Sequence, residues 1–208
     1  VRHSSAGGKR SLRAHIVYLQ REGVGRGGEP ARIFTQDGLA QKEQALGIGR
    51  AWSQDRHHFR FIVSPEKGSE VDLEDFARNL IRKMETDLET KLEYLFVCHY
   101  NTDAPHVHLV VRGKTDKGKD LVISRDYISR GIRYGAQETL TQELGPRSKI
   151  DIEVSLWEEV RKERLVSIDK DLVRQAAGHV LGQVHLNEQA IPDSRELYWK
   201  RERVQFLL

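Results

Sequence analysis

The sequence is short of several things. A single cysteine, Cys98, and a single methionine occur among 208 residues, and aromatic residues make up only 7%. One thiol cannot form an internal disulfide, so a reducing compartment, the cytoplasm, is expected. No apolar run approaches the roughly 20 residues that cross a bilayer. The first residues, VRHSSAGGKRSLRAH, lack the apolar stretch of a secretory signal. No Gly-x-Ser-x-Gly elbow is present, which removes one common nucleophile arrangement. No initiator methionine is present either, and we expect a processed or excerpted chain.

A strong excess of one charge is also missing, since the formal net charge is +3. The charge is nevertheless uneven. Residues 1–34 carry seven Lys/Arg against Glu22 and Glu29, and residues 112–149 carry nine against five acids. Such blocks suit either solvated surface or contact with phosphate backbones.

What is present reads as α+β, with a central, mainly antiparallel sheet flanked by helices. Residues 1–11 look like a flexible arm, and Leu12, Ile16 and Leu19 mark a short amphipathic helix over 12–22. The segment 57-HHFRFIVS-64 reads as a strand with His57, Phe59, Phe61 and Val63 on one face. Ser69 and Asp72 resemble a capping box ahead of a helix carrying Leu73, Phe76, Ala77, Leu80, Ile81, Met84 and Leu88. Segments 92–100 and 106–113 read as a hairpin, and 121–124 as a further short strand. Helices are expected over 126–144, 150–165 and 168–186. The expected organisation is an arm over 1–11, a main domain over 12–165 and a helical extension over 166–208.

The chemistry concentrates in 98-CHYNTDAPHVHLVVRG-113. Strand alternation puts His106 and His108 on one face, roughly 6–7 Å apart. His99 ends the preceding strand, and cross-strand neighbours sit about 4.5–5.5 Å apart at Cβ, so a third imidazole can join them. Three imidazoles leave positions open for substrate, as a catalytic metal requires. By themselves they suit zinc, copper or nickel, whereas substrate phosphate oxygens would suit magnesium or manganese. Asp103, in the turn, can accept a hydrogen bond from a histidine or contact the ion. Cys98 alternates away from His99 into the core. Tyr18 stands in a basic context, 13-RAHIVYLQREG-23, where a core or boundary role competes with a chemical one.

These residues together resemble the HUH relaxases, and within them the VirD2-like relaxase and mobilisation nucleases of plasmids and conjugative elements. The likeness rests on H-x6-H-x-H, on Y-L-x-R-x-G near the start, and on HHFRFIVSPE, NTDAPHVHLVVRG, DLVISRDYISRG and ELGPR. It spans roughly residues 10–165. The resemblance implies an HUH endonuclease-like fold, His99, His106 and His108 as metal ligands, and Mg²⁺ or Mn²⁺ as the ion. It implies Tyr18 as nucleophile and Asp103 as the acid between the histidines; Asp103 is the first candidate base for Tyr18, with His57 or His58 behind it. The implied activity nicks and rejoins a single DNA strand at an origin of transfer, through a 5′-phosphotyrosyl link, in plasmid mobilisation or conjugation. Accessory relaxosome proteins would be its partners. Arg10, Arg13, Arg21, Arg125 and Arg130 are candidates to hold the strand, with Tyr127 or Tyr100 stacking a base.

In this chain the strand that precedes the tyrosine helix in the family looks absent or shortened. Three alternatives stand beside this reading. They are a replication-initiator type of HUH endonuclease, a non-catalytic nucleic-acid-binding domain around structural zinc, and a hydrolase using metal-activated water.

Overall fold

The computed structural model describes residues 2–6, 9–163, 165–177 and 195–207. They divide into two units, 1–145 and 146–208. The division lies at Gly145/Pro146, so the segment 150–165 belongs to the second unit.

The first unit is built on a six-stranded sheet in which every pairing is antiparallel. Its strands are β1 (Arg2–Ala6), β2 (Ile33–Thr35), β3 (Gly38–Ala40), β4 (His58–Val63), β5 (Tyr94–His99) and β6 (His106–Arg112). Their order is β1-β4-β6-β5-β2-β3. β5 is buried along its whole length, as a strand covered on both faces must be.

Helices α1 (Lys9–Leu19) and α2 (Lys42–Trp52) cover one face. Leu12, Ile16 and Leu19 of α1 pack there with Ala45 and Trp52, on Ile33, Leu95, Val97 and Val110 of the sheet. α3 (Leu73–Asp87), a π-helical segment Tyr127–Gly131 and α4 (Ile132–Leu144) cover the other. There Leu73, Phe76, Ala77, Leu80, Ile81 and Met84 of α3 meet Phe59, Phe61, Phe96, Leu109 and Val111. Each such Leu, Ile, Val, Met or Phe side chain, fully buried, contributes about 1.5–3 kcal/mol.

Several expectations need correction. Arg2–Ala6 is a strand, not an arm, and pairs with β4 from Arg2↔Ile62 to Ala6↔His58. The strand that looked absent before the tyrosine helix is therefore present. Its polar sequence, RHSSA, carries no apolar alternation, and backbone ladder bonds define it. The helix after it runs from Lys9, ahead of the expected start.

Asp72, not Ser69, caps α3, accepting from the Glu74 and Asp75 amides at 2.9 and 3.2 Å. Residues 121–124 form no strand. Leu121 and Ile123 are buried in the α3-side core, and the Leu121 amide bonds the Gly113 carbonyl at 2.9 Å. The three-residue strands β2 and β3 were not expected, being too short for a period-two pattern to register.

The second unit contains α5 (Lys149–Val160), α6 (Ser167–Ala177) and α7 (Arg195–Leu207). Ser148 and Asp151 form a reciprocal capping box on α5. Buried Arg203 pairs with Asp169 at 2.8 and 2.9 Å and donates to the carbonyls of Val160 and Lys162. Positions 178–186 of the helix expected over 168–186 lie outside the described residues. Among the described residues, no helix is long and apolar enough to cross a membrane.

Candidate metal centre

The β5–β6 hairpin sets His99 directly opposite His106 and Val97 directly opposite His108. Opposed residues share a face, so the three rings converge on the side covered by α1. One ring nitrogen from each of His99, His106 and His108 lies within 4.8 Å of the others. Ring centroids are 4.5, 4.9 and 5.4 Å apart.

Two rings are held by backbone carbonyls. His99 Nε2 lies 2.8 Å from the Leu19 carbonyl, and His106 Nδ1 lies 3.0 Å from the Ala104 carbonyl. A carbonyl only accepts, so both nitrogens are donors, and the lone pairs sit on His99 Nδ1 and His106 Nε2. Pinning a ring through its second nitrogen is how proteins orient a metal-binding imidazole.

His106 Nε2 and His108 Nε2 are 3.2 Å apart. Two nitrogens each about 2.1 Å from one ion stand about 3.0 Å apart at a right angle and about 3.4 Å apart at the tetrahedral angle. The observed separation falls between these values, so the residues present fit a shared ion. Burial, reinforced by neighbouring rings, pushes His108 down to about 3, and burial likewise lowers His99. Neutral rings are the metal-binding form.

α1 joins this centre to Tyr18. Its last residue supplies the carbonyl on His99, and its His15 ring stands edge-on to His108 at 6.4 Å. Tyr18 follows His15 by three residues, one helical turn, and is 54% exposed. It is neither a core nor a boundary residue of the apolar stripe. The Arg21 guanidinium lies 4.3 Å over its ring. Gln20 Oε1 is buried and, among the described residues, has no hydrogen-bond partner.

His15 and Arg60 were not expected here, and His58 only as a candidate base alongside His57. On β4, Ile62 opposes His108 and Arg60 opposes Val110, so His58 and Arg60 share the triad's face. Arg60 Nε donates to His58 Nε2 at 3.0 Å. Burial, then the Arg60 charge, pushes His15 and His58 each down to about 4. His15 was detectable in principle, three residues before Tyr18 and beside the Leu12–Ile16–Leu19 stripe. His57, by contrast, bonds the Leu121 carbonyl at 3.0 Å and stacks edge-on against Phe59.

Other expected residues are not brought together. Asp103 is exposed in the turn and is not among the clustered metal-binding groups. The Ala104 carbonyl takes the histidine-orienting place expected for it. Tyr127 packs on the opposite, α3-side core and donates to Asp87 at 2.8 Å, so it does not face the triad. Arg130 is exposed and paired with Asp126. Arg125 is exposed just before that segment. Tyr100 also packs toward the α3-side core, under Arg26. Arg13 is exposed on α1, and the side chain of Arg10 lies outside the described ones. Cys98 is buried on the α3 side as expected, its thiol pushed up to about 12 by burial.

Comparison with curated proteins and with solved structures gives no match. A family model, the MobA/VirD2-like relaxase nuclease domain, matches residues 31–134, narrower than the expected 10–165, including all three clustered histidines but not Tyr18. The chain that folds this histidine hairpin against its α1 helix therefore belongs to the relaxase family, by its MobA/VirD2-like nuclease domain.

Proposed function

We propose that this protein cleaves single-stranded DNA by transesterification, with Tyr18 as nucleophile and His99, His106 and His108 as the ligands of one divalent ion. Membership of a relaxase nuclease family supports DNA nicking. The observation that carries the finer reading is the junction of α1 with the triad, where the Leu19 carbonyl meets His99 next to exposed Tyr18.

His99, His106 and His108 would hold the ion, which when bound would supply positive charge to stabilise the charge developing on the scissile phosphate. Phosphate oxygens of the substrate beside the three nitrogens suit Mn²⁺ or Mg²⁺. Tyr18 Oη attacks phosphorus as the P–O3′ bond breaks, and the phenolic proton ends on the departing 3′-oxygen. The product is a 5′-phosphotyrosyl link, which the 3′-hydroxyl can reverse. Such a reversible break suits strand transfer from an origin in plasmid mobilisation, which is the role we propose. The α1 helix holds the phenol, and the backbone carbonyls of Leu19 and Ala104 keep two of the ligand rings oriented.

The test uses a 3′-labelled, randomised single-strand oligonucleotide pool with Mn²⁺, read on a denaturing gel. Wild type should carry label covalently, and Tyr18→Phe should carry none. An adduct in Tyr18→Phe sinks the nucleophile assignment. Cleavage without any adduct points instead to metal-activated water. His106→Ala should lose Mn²⁺ binding, and unchanged Mn²⁺ affinity there removes the triad as the metal site.

A further inference from the structure

Arg21 sits where the two halves of the site meet. Its Cζ is 4.3 Å above the Tyr18 ring centre, and its Nη1 donates to the Tyr18 carbonyl at 3.3 Å. The next carbonyl along, that of Leu19, takes the N–H of His99 at 2.8 Å. Two successive carbonyls at the end of α1 thus tie the guanidinium to one side and the triad to the other.

One peptide unit separates the carbonyl that holds the guanidinium from the carbonyl that holds the His99 ring, which keeps the Arg21 charge beside the triad. A fixed cation beside a centre built to take a cation opposes metal binding. Capping a helix C-terminus would explain a positive charge here. It does not explain a guanidinium carbon 4.3 Å over the ring of an exposed tyrosine. A phosphate arriving between the two positive groups turns their repulsion into two attractions.

We propose that Arg21 is a catalytic residue that grips the scissile DNA phosphate. Stacked on Tyr18, its planar fork of donors holds a non-bridging oxygen, so that phosphorus faces Tyr18 Oη beside the triad. This rests on Tyr18 as nucleophile. As the Oη–P bond forms and the P–O3′ bond breaks, the phenolic proton passes to O3′, and Arg21 keeps all of its own.

Two readouts separate this role from a structural one. With saturating oligonucleotide recovered from the pool, Arg21→Gln should form the covalent adduct about 10²-fold more slowly, the scale for losing one donor to developing phosphate charge. Without DNA, the same variant should bind Mn²⁺ a few-fold more tightly, because a repelling charge is gone. Arg21→Lys should restore the Mn²⁺ affinity of wild type but not the rate, since an ammonium keeps the charge and loses the fork.

Wild-type adduct rates in Arg21→Gln overturn the proposal. So does a rate loss that saturating DNA abolishes, which marks an ordinary backbone contact. A lower melting temperature with Mn²⁺ affinity falling rather than rising marks a helix cap alone and overturns it too. If wild type itself forms no adduct, the Tyr18 reading fails and takes Arg21 with it. An adduct in wild type with Arg21 variants unaffected means that Arg21 fails alone.

Discussion

His58 shows what burying an imidazole on the triad's face demands. Its Nε2 must stay unprotonated to accept from Arg60 Nε at 3.0 Å. Burial and the Arg60 charge hold it down to about 4, from an ordinary value of 6.5. The unfolded chain therefore takes up this proton before the folded one does. The contribution of neutral His58 to stability is intact above about pH 6.5, declines as pH falls, and is gone below about pH 4. His15, held down to about 4 as well, acts in the same window. Urea midpoints measured across that range should fall more gently for His58→Gln, which keeps an acceptor for Arg60 but does not titrate. Parallel pH curves for the two proteins would falsify this account. At the same scale, three of the histidines were readable from their spacing. The placement of His15 against His108 and of His58 against Arg60 on the triad's face was not, because that company is set by how the elements pack.

At the scale of elements, the hairpin that presents the triad depends on a close approach at its far end. Gly113 follows β6, and a Cβ there would stand 2.0 Å from the His57 carbonyl oxygen. Any larger residue must push the start of β4 away from β6, the strand that carries His106 and His108. Gly113→Ala should lower stability by about 1–3 kcal/mol, the usual cost of overpacking. Urea unfolding checks the stability. A variant as stable as wild type would show that the two strands tolerate separation at this end.

Much at this scale was legible. α3 announced itself by apolar residues every three or four positions, β4 and β6 by alternation, and β5 by a short apolar run ahead of turn residues. β1 was not, because RHSSA pairs with β4 through backbone groups that every residue has. The π-helical turn was not legible either. Its Gly131 has room for no Cβ against the Tyr127 ring, which would come within 2.3 Å. That packing also moves Tyr127 to the face away from the triad.

For the whole molecule, an ion that binds only the folded chain must stabilise it. The triad joins β5 and β6 to each other and, through Leu19, to α1, so unfolding disperses all three ligands. At Mn²⁺ about a hundred times its dissociation constant, linkage contributes about 2.7 kcal/mol. The melting temperature of wild type should rise with Mn²⁺ and return with EDTA, while that of His108→Ala should ignore both. An equal response in His108→Ala would place the stabilising ion elsewhere.

By itself the sequence determined the fold class, the face shared by His106 and His108, and their convergence with His99. Those follow from local periodicity and one short hairpin, and both are properties of neighbouring residues. Tertiary structure alone decided that Leu19 orients His99, that His15 abuts His108, and that Arg21 covers Tyr18 at the triad's edge. It also left Asp103 exposed in the turn and packed Tyr127 on the α3-side core. The reason is physical. α1 meets β5 across some eighty residues of chain, and only the packing of Leu12, Ile16 and Leu19 on Leu95, Val97 and Val110 sets that distance.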